Sequence, residues 1–193
     1  MKKITTFALI GLSAIALTAC SPKSDSNSSS KGSEAKTEQS SAKKDDNVST
    51  EFKNALKKAK SYADTIHLSK QGILKQLTEF EKFPEDAAQY AVDNLDVDWN
   101  EVAIEKAKSY ADTIHLSKQG MKKQLIEFEQ FTEEEATYAV DNAKINWKEQ
   151  ALAKAKSYQE TLALSTEGLK DQLLNFENFT EEEVNYALEK LDK

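Results

Sequence analysis

The fourteen residues at 59–72, AKSYADTIHLSKQG, return unchanged at 107–120 and in altered form, AKSYQETLALSTEG, at 155–168. Each step is 48 residues, so Tyr62, Tyr110 and Tyr158 fall in register, as do Gly72, Gly120 and Gly168. A fixed period of this size marks stacked supersecondary units, each burying its apolar face against a neighbour. The period restricts the chain to a tandem array before any element is assigned.

Within the repeats the apolar residues recur with a helical period and almost no breakers; residues 51–193 hold three glycines and one proline. Phe52, Ala55, Leu56, Ala59, Tyr62, Ala63 and Ile66 follow the i, i+3, i+4, i+7 spacing of one helix face, with Thr50 as its N-cap. After a break at His67 and Leu68, Ser69 caps a second helix that carries Ile73, Leu77 and Phe80 inward. A third begins near Pro84 with Ala88, Ala91, Val92 and Leu95 on its apolar face. Thr132 with Glu135, and Thr180 with Glu183, read as capping boxes, and Asp98 and Asn146 as caps of the following units. The expected fold is all-α: three tandem 48-residue, three-helix repeats stacked into one body, spanning 50–98, 99–146 and 147–193. Each repeat alone is too small for a robust core. Trp99 and Trp147 occur only where one unit follows another, the matching position in the first being Glu51. They are the candidates for inter-repeat packing.

The first fifty residues have a different character. Residues 1–19 hold two lysines, an apolar run of about sixteen residues and a small-residue end, the pattern of an export signal. Leu17, Thr18, Ala19 and Cys20 resemble the bacterial lipoprotein box, at which Cys20 is lipidated and becomes the mature N-terminus. Cys20 is the sole cysteine, so no intrachain disulfide is possible. Two acyl chains at about 0.8 kcal/mol per buried CH2 anchor stably where one is marginal. Residues 20–49 then read as a disordered Ser/Lys-rich tether, with ten serines and no aromatic residue after the cysteine. Its ends lie roughly 30 Å apart as a flexible coil. The expected location is the outer face of the cell membrane, lipid-anchored and extracytoplasmic; the all-lysine basic set leans towards a Gram-positive source.

Residues 51–193 contain 28 acidic and 19 basic side chains, and the chain has no arginine. A body of net charge −9 lacks the cationic contacts that nucleic acid and anionic membranes require, and favours a basic partner. The acidic helix starts at Glu133, Glu134 and Glu135, at Glu181, Glu182 and Glu183, and at Glu85 and Asp86 form a candidate acidic binding surface. Acidic first turns also answer the helix dipole without any ligand. Gly72 and its equivalents read as points of close helix packing, and the six tyrosines as core rims with surface hydroxyls. His67 and His115 are replaced by Ala163 in the third repeat and read as helix-end residues. Asp96, Asp98 and Asn100 imitate the start of a calcium loop but lack its glycine and its final glutamate, so no metal is expected. No nucleophile–base pair and no phosphate cradle is apparent, so neither an enzyme nor a cofactor is expected. Repeats 1 and 2 agree at 30 of 43 positions over 59–101 and 107–149, exposed residues included. Either recent duplication or a binding surface shared by two repeats explains that agreement.

The chain resembles the Ltp family of surface-exposed lipoproteins. The family's A-x-S-Y core, its L/M-S-x-x-G stretch and its A-x-YAVD-x-L-x-x-DWN ending match residues 59–62, 68–77 and 88–100, and recur in the second repeat. The third departs at Asn185, Leu188 and Glu189, and ends before the tryptophan. The resemblance implies a membrane-tethered helical protein whose best-known role is superinfection exclusion. There it blocks injection of phage DNA after adsorption by engaging the tail tape-measure protein. Chromosomal members imply an alternative, an adhesive or envelope-binding scaffold. A small-molecule binder feeding a transporter is a weaker third reading, since no two-lobed cleft is encoded.

Overall fold

The computed structural model describes residues 48–191. The expected signal peptide, Cys20 and nearly all of the tether lie outside the described residues. All regular structure among the described residues is helical, and the three repeats form one body. Repeat 1 comprises α1 (Thr50–Ile66), α2 (Lys70–Lys75), which runs on into a π turn (Gln76–Phe80), and α3 (Glu85–Asp93). Repeat 2 comprises α4 (Trp99–Thr113), α5 (Lys118–Glu127) and α6 (Glu133–Asn142). Repeat 3 comprises α7 (Trp147–Leu162), α8 (Thr166–Asp171), again followed by a π turn (Gln172–Phe176), and α9 (Glu181–Leu191).

In each repeat the long first helix packs on the third, and alanines make that approach possible. Ala55, Ala59 and Ala63 of α1 are buried with Ala87, Ala88 and Ala91 of α3. Ala103, Ala107 and Ala111 of α4 meet Ala136 and Ala139 of α6 in the same way. The second helix supplies the bulk, through Ile73 and Leu77, Met121 and Leu125, and Leu169 and Leu173, all fully buried. The result is three small cores, one per repeat.

The caps largely follow the sequence. Ser69, Ser117 and Ser165 accept from Gly72, Gly120 and Gly168 N–H at 3.0, 3.0 and 3.2 Å. Thr132 and Glu135 form a reciprocal capping box, and Thr180 and Glu183 make the same two bonds. Asp98 and Asn146 cap α4 and α7. One cap differs: Ser49 accepts from Phe52 N–H at 3.4 Å, and Thr50 is the first helical residue instead of the cap. Both sit before the same apolar run, and the serine holds the extended ψ of 156° that a cap needs.

The inward assignment of Phe80 is corrected. Phe80, Phe128 and Phe176 are 66, 68 and 66% exposed. The reason lies in how the second helices end. Glu81, Glu129 and Glu177 N–H bond five residues back, to the carbonyls of Gln76, Gln124 and Gln172. The phenylalanine sits within that closing turn, outside the three cores. Lys82, Gln130 and Asn178 then adopt left-handed φ of 60, 61 and 58°. They turn the chain so that, three residues after the exposed ring, Phe131 and Phe179 enter their cores and Phe83 packs half-buried against its own. Ile66 also lies outside its expected face and is exposed. His67, next to it, ends the helical run at φ 53° with its ring Nδ1 3.2 Å from Ala63 O.

Candidate functional site

The side chains that join the repeats fix what the surface can present. Ser69 Oγ donates to the backbone carbonyl of Glu129 at 2.6 Å, and Ser117 Oγ donates to that of Glu177 at the same distance. Each serine thus starts a helix in its own repeat and holds the end of the second helix in the next. Gly72 and Gly120 sit beneath this bond. A Cβ on Gly72 would lie 3.2 Å from Ser69 Oγ and 3.7 Å from Glu129 O, so the tightest neighbour is the cap and not an opposing helix.

The glutamate that receives the serine has a second task. Glu129 accepts from the Tyr110 hydroxyl and pairs with Lys106 Nζ at 3.0 Å, and Lys106 also donates to Ile66 O of the preceding repeat at 3.3 Å. Glu177 accepts from Tyr158 and lies 3.6 Å from Lys154. Glu81 holds Tyr62 and Lys58 in the same way. The Tyr62, Tyr110 and Tyr158 hydroxyls are therefore tied to carboxylates and do not form a surface rim. Burial first, and then the bond to the glutamate, pushes Tyr110 and Tyr158 up to about 12. At Tyr62 the bond to Glu81 is the larger cause, and the shift is again upward. Sequence reasoning missed this triad. Its signal was available: Lys58, Tyr62 and Glu81 recur in all three repeats, including the third, which loses His67, Lys70 and Gln71.

Trp99 packs against the cores of both repeat 1 and repeat 2, and Trp147 against the core of repeat 2. Each indole begins a repeat and lies on the core of the one before it.

The expected acidic surface is divided between internal duties and free charge. Glu135 and Glu183 reach back to the N–H of Thr132 and Thr180, and Asp86 accepts from Ala87 N–H. Glu133 pairs with Lys122 at 3.2 Å and Glu182 with Lys148 at 2.6 Å, which holds the Glu182 carboxyl below its ordinary range. Glu85, Glu134 and Glu181 remain exposed, and no described residue pairs with them. On α6, Glu133 and Glu134 border an open hollow of about 600 Å³ with the exposed Tyr138 and Asp141. Two similar grooves lie at the joints. Gln71, Lys75 and Glu79 face Gln130 across about 560 Å³, and Gln119, Lys123 and Glu127 face Asn178 across about 450 Å³. Glu85 borders the first of them. Carboxylate, amide and aromatic groups on shallow surfaces suit a peptide or protein ligand. Among the described residues no helix is long and apolar enough to cross a membrane, and no cluster of His, Cys, Asp and Glu is placed to hold a metal ion.

Comparison with known proteins places this surface in a family. A search of curated proteins finds no match. A solved structure described as Ltp, a superinfection exclusion protein from the Streptococcus thermophilus temperate phage TP-J34, is 43% identical over 47% of this chain and 92% of its own, with a TM-score of 0.46. The sequence model of the Ltp lipoprotein family, described as host cell surface-exposed lipoprotein, matches residues 50–95, 98–143 and 146–191. These matches take in all three repeats, and the chain belongs to the host cell surface-exposed lipoprotein family.

Proposed function

We propose that this protein is a membrane-anchored surface lipoprotein that acts in phage superinfection exclusion by binding a basic component of an incoming phage tail, its tape-measure protein, and blocking DNA injection. The observation that carries this reading is the match of the surface-lipoprotein family to each of the three repeats; the stretch at 1–19, which reads as an export signal followed by Cys20, supports it. Superinfection exclusion is the role named for the streptococcal phage protein. The anchor holds the protein at the membrane where DNA arrives, and the tether gives it reach.

Binding is assigned to the uncommitted charge at the helix starts, Glu85, Glu134 and Glu181, and to the exposed aromatic residues Tyr138 and Phe80, Phe128 and Phe176. Affinity carried by exposed charge weakens as salt rises, because the screening length is about 8 Å at physiological ionic strength. A complex indifferent to salt would shift the assignment to the aromatic side chains.

A plaque assay with the Cys20→Ala form tests the anchor. The proposal expects protection to fall when the anchor is lost, and a soluble form that protected equally would contradict it. The family's description as exposed on the host cell favours a second reading, a chromosomal scaffold that binds an envelope component. Under that reading phage resistance would not change when the protein is expressed.

A further inference from the structure

Among the described residues, repeat 3 and repeat 1 each expose one half of the joint that the molecule uses twice inside itself. At the donor end, Ser165 caps α8 as Ser69 caps α2, yet it is exposed where Ser69 and Ser117 are buried, and its hydroxyl donates to no carbonyl among the described residues. Gly168 likewise has only its own serine and Leu164 near it, where Gly72 and Gly120 each face the carbonyl of the next repeat's glutamate. At the acceptor end, Glu81 is held by Tyr62 and Lys58 just as Glu129 is by Tyr110 and Lys106. Here the side chains of Lys58 and Glu81 are 50 and 27% exposed, against 15% for both members of the interior pair. Phe83 is half-buried and borders an open groove of about 510 Å³ with Lys57 and Lys58, where Phe131 and Phe179 are covered.

Charge distinguishes these ends from the interior joints. Across the two joint grooves the facing residues are amides, Gln71 with Gln130 and Gln119 with Asn178. The equivalent positions at the free ends are Glu167 on the donor side and Lys82 on the acceptor side. Both are exposed, and neither has a partner among the described residues. Opposite charges stand where a second copy would bring them together.

We propose that the protein associates head to tail with a second copy of itself, Ser165 and Glu167 of one copy seating on the Glu81 carbonyl and Lys82 of the next. The contact is heterologous, so each added copy leaves the same two ends free and a row can grow. It lacks the indole of the interior joints, because the position of Trp99 and Trp147 is Glu51 in repeat 1. It also lacks the covalent link that raises the effective concentration of neighbouring repeats. The association is therefore weak in dilute solution and forms where chains are dense on one surface.

The test is zero-length carbodiimide cross-linking of the full chain on intact cells, which joins a carboxylate to an ammonium group in contact. The native chain is expected to give a ladder at multiples of its own mass. Glu167→Lys and Lys82→Glu should each lose the ladder, and the double exchange, which restores opposite charges, should recover it. A native chain that stays monomeric, or a ladder that persists in both single variants, would overturn the proposal. Both side chains are exposed, and recovery in the double variant shows that the losses do not come from misfolding.

Discussion

Ser69 Oγ donates to the carbonyl oxygen of Glu129, sixty residues along the chain, at 2.6 Å, and Ser69 Oγ itself accepts from Gly72 N–H at 3.0 Å. One hydroxyl satisfies a helix start and a part-buried backbone acceptor in another repeat. Ser165 does only the first.

This difference sets an order of stabilities. Ser165→Ala removes a cap and should cost about 1 kcal/mol. Ser69→Ala and Ser117→Ala also leave a part-buried carbonyl without its donor, and should cost about 2 kcal/mol each. Urea unfolding of the three variants checks this, and equal costs would show that the inter-repeat bond adds nothing.

The tyrosines give a pH signature. Tyr110 and Tyr158 have folded values raised to about 12 from an ordinary 10, so the stability they contribute is complete below pH 10 and is lost as pH rises towards 12. Tyrosinate absorbance should show a late phase near pH 12 that disappears in the Tyr110→Phe, Tyr158→Phe double variant. The native chain should unfold within that same window. If the two variants left the late phase unchanged, the Tyr–Glu–Lys triad would not be the cause.

Trp99 touches two repeat cores at once. Its removal in Trp99→Ala should cost about 2 kcal/mol, from the area of a half-buried indole returned to water. The emission of the folded chain should be blue-shifted relative to free indole in water and should move red on unfolding. A folded-state spectrum like that of free indole would contradict packing at the junctions.

The repeated stretch at 59–72 was legible in most of its parts. Its alanines form the core face, Ser69 caps α2, and the 48-residue period gives the three units. The second role of Ser69 was not legible, because its acceptor is a backbone carbonyl, and every residue type carries one. The exposed position of Phe80 was hidden by a uniform helical period, which does not show that the second helix closes at Gln76 and leaves the core after Leu77. The acidic helix starts were visible as charge, but which carboxylates are committed depends on partners such as Lys122 and Lys148, on other helices. The triad was readable as letters retained by all three repeats, though not as a contact, since tyrosine and glutamate stand 19 residues apart.

Loss of free charge tests the binding surface. Glu85→Lys, Glu134→Lys and Glu181→Lys combined should leave stability nearly unchanged, since surface substitutions of this kind stay within about 0.5 kcal/mol. Protection against phage should fall. The capping carboxylates serve as the contrast: Glu135→Gln and Glu183→Gln should lower stability slightly and leave protection in place. If the triple variant protected fully, binding would lie on other surfaces.

The most direct measurement follows phage adsorption and phage DNA delivery separately, in cells with and without the full-length protein. The expected result is unchanged adsorption with DNA delivery strongly reduced. A drop in adsorption itself, or unchanged delivery across a panel of tailed phages, would contradict a role in blocking injection.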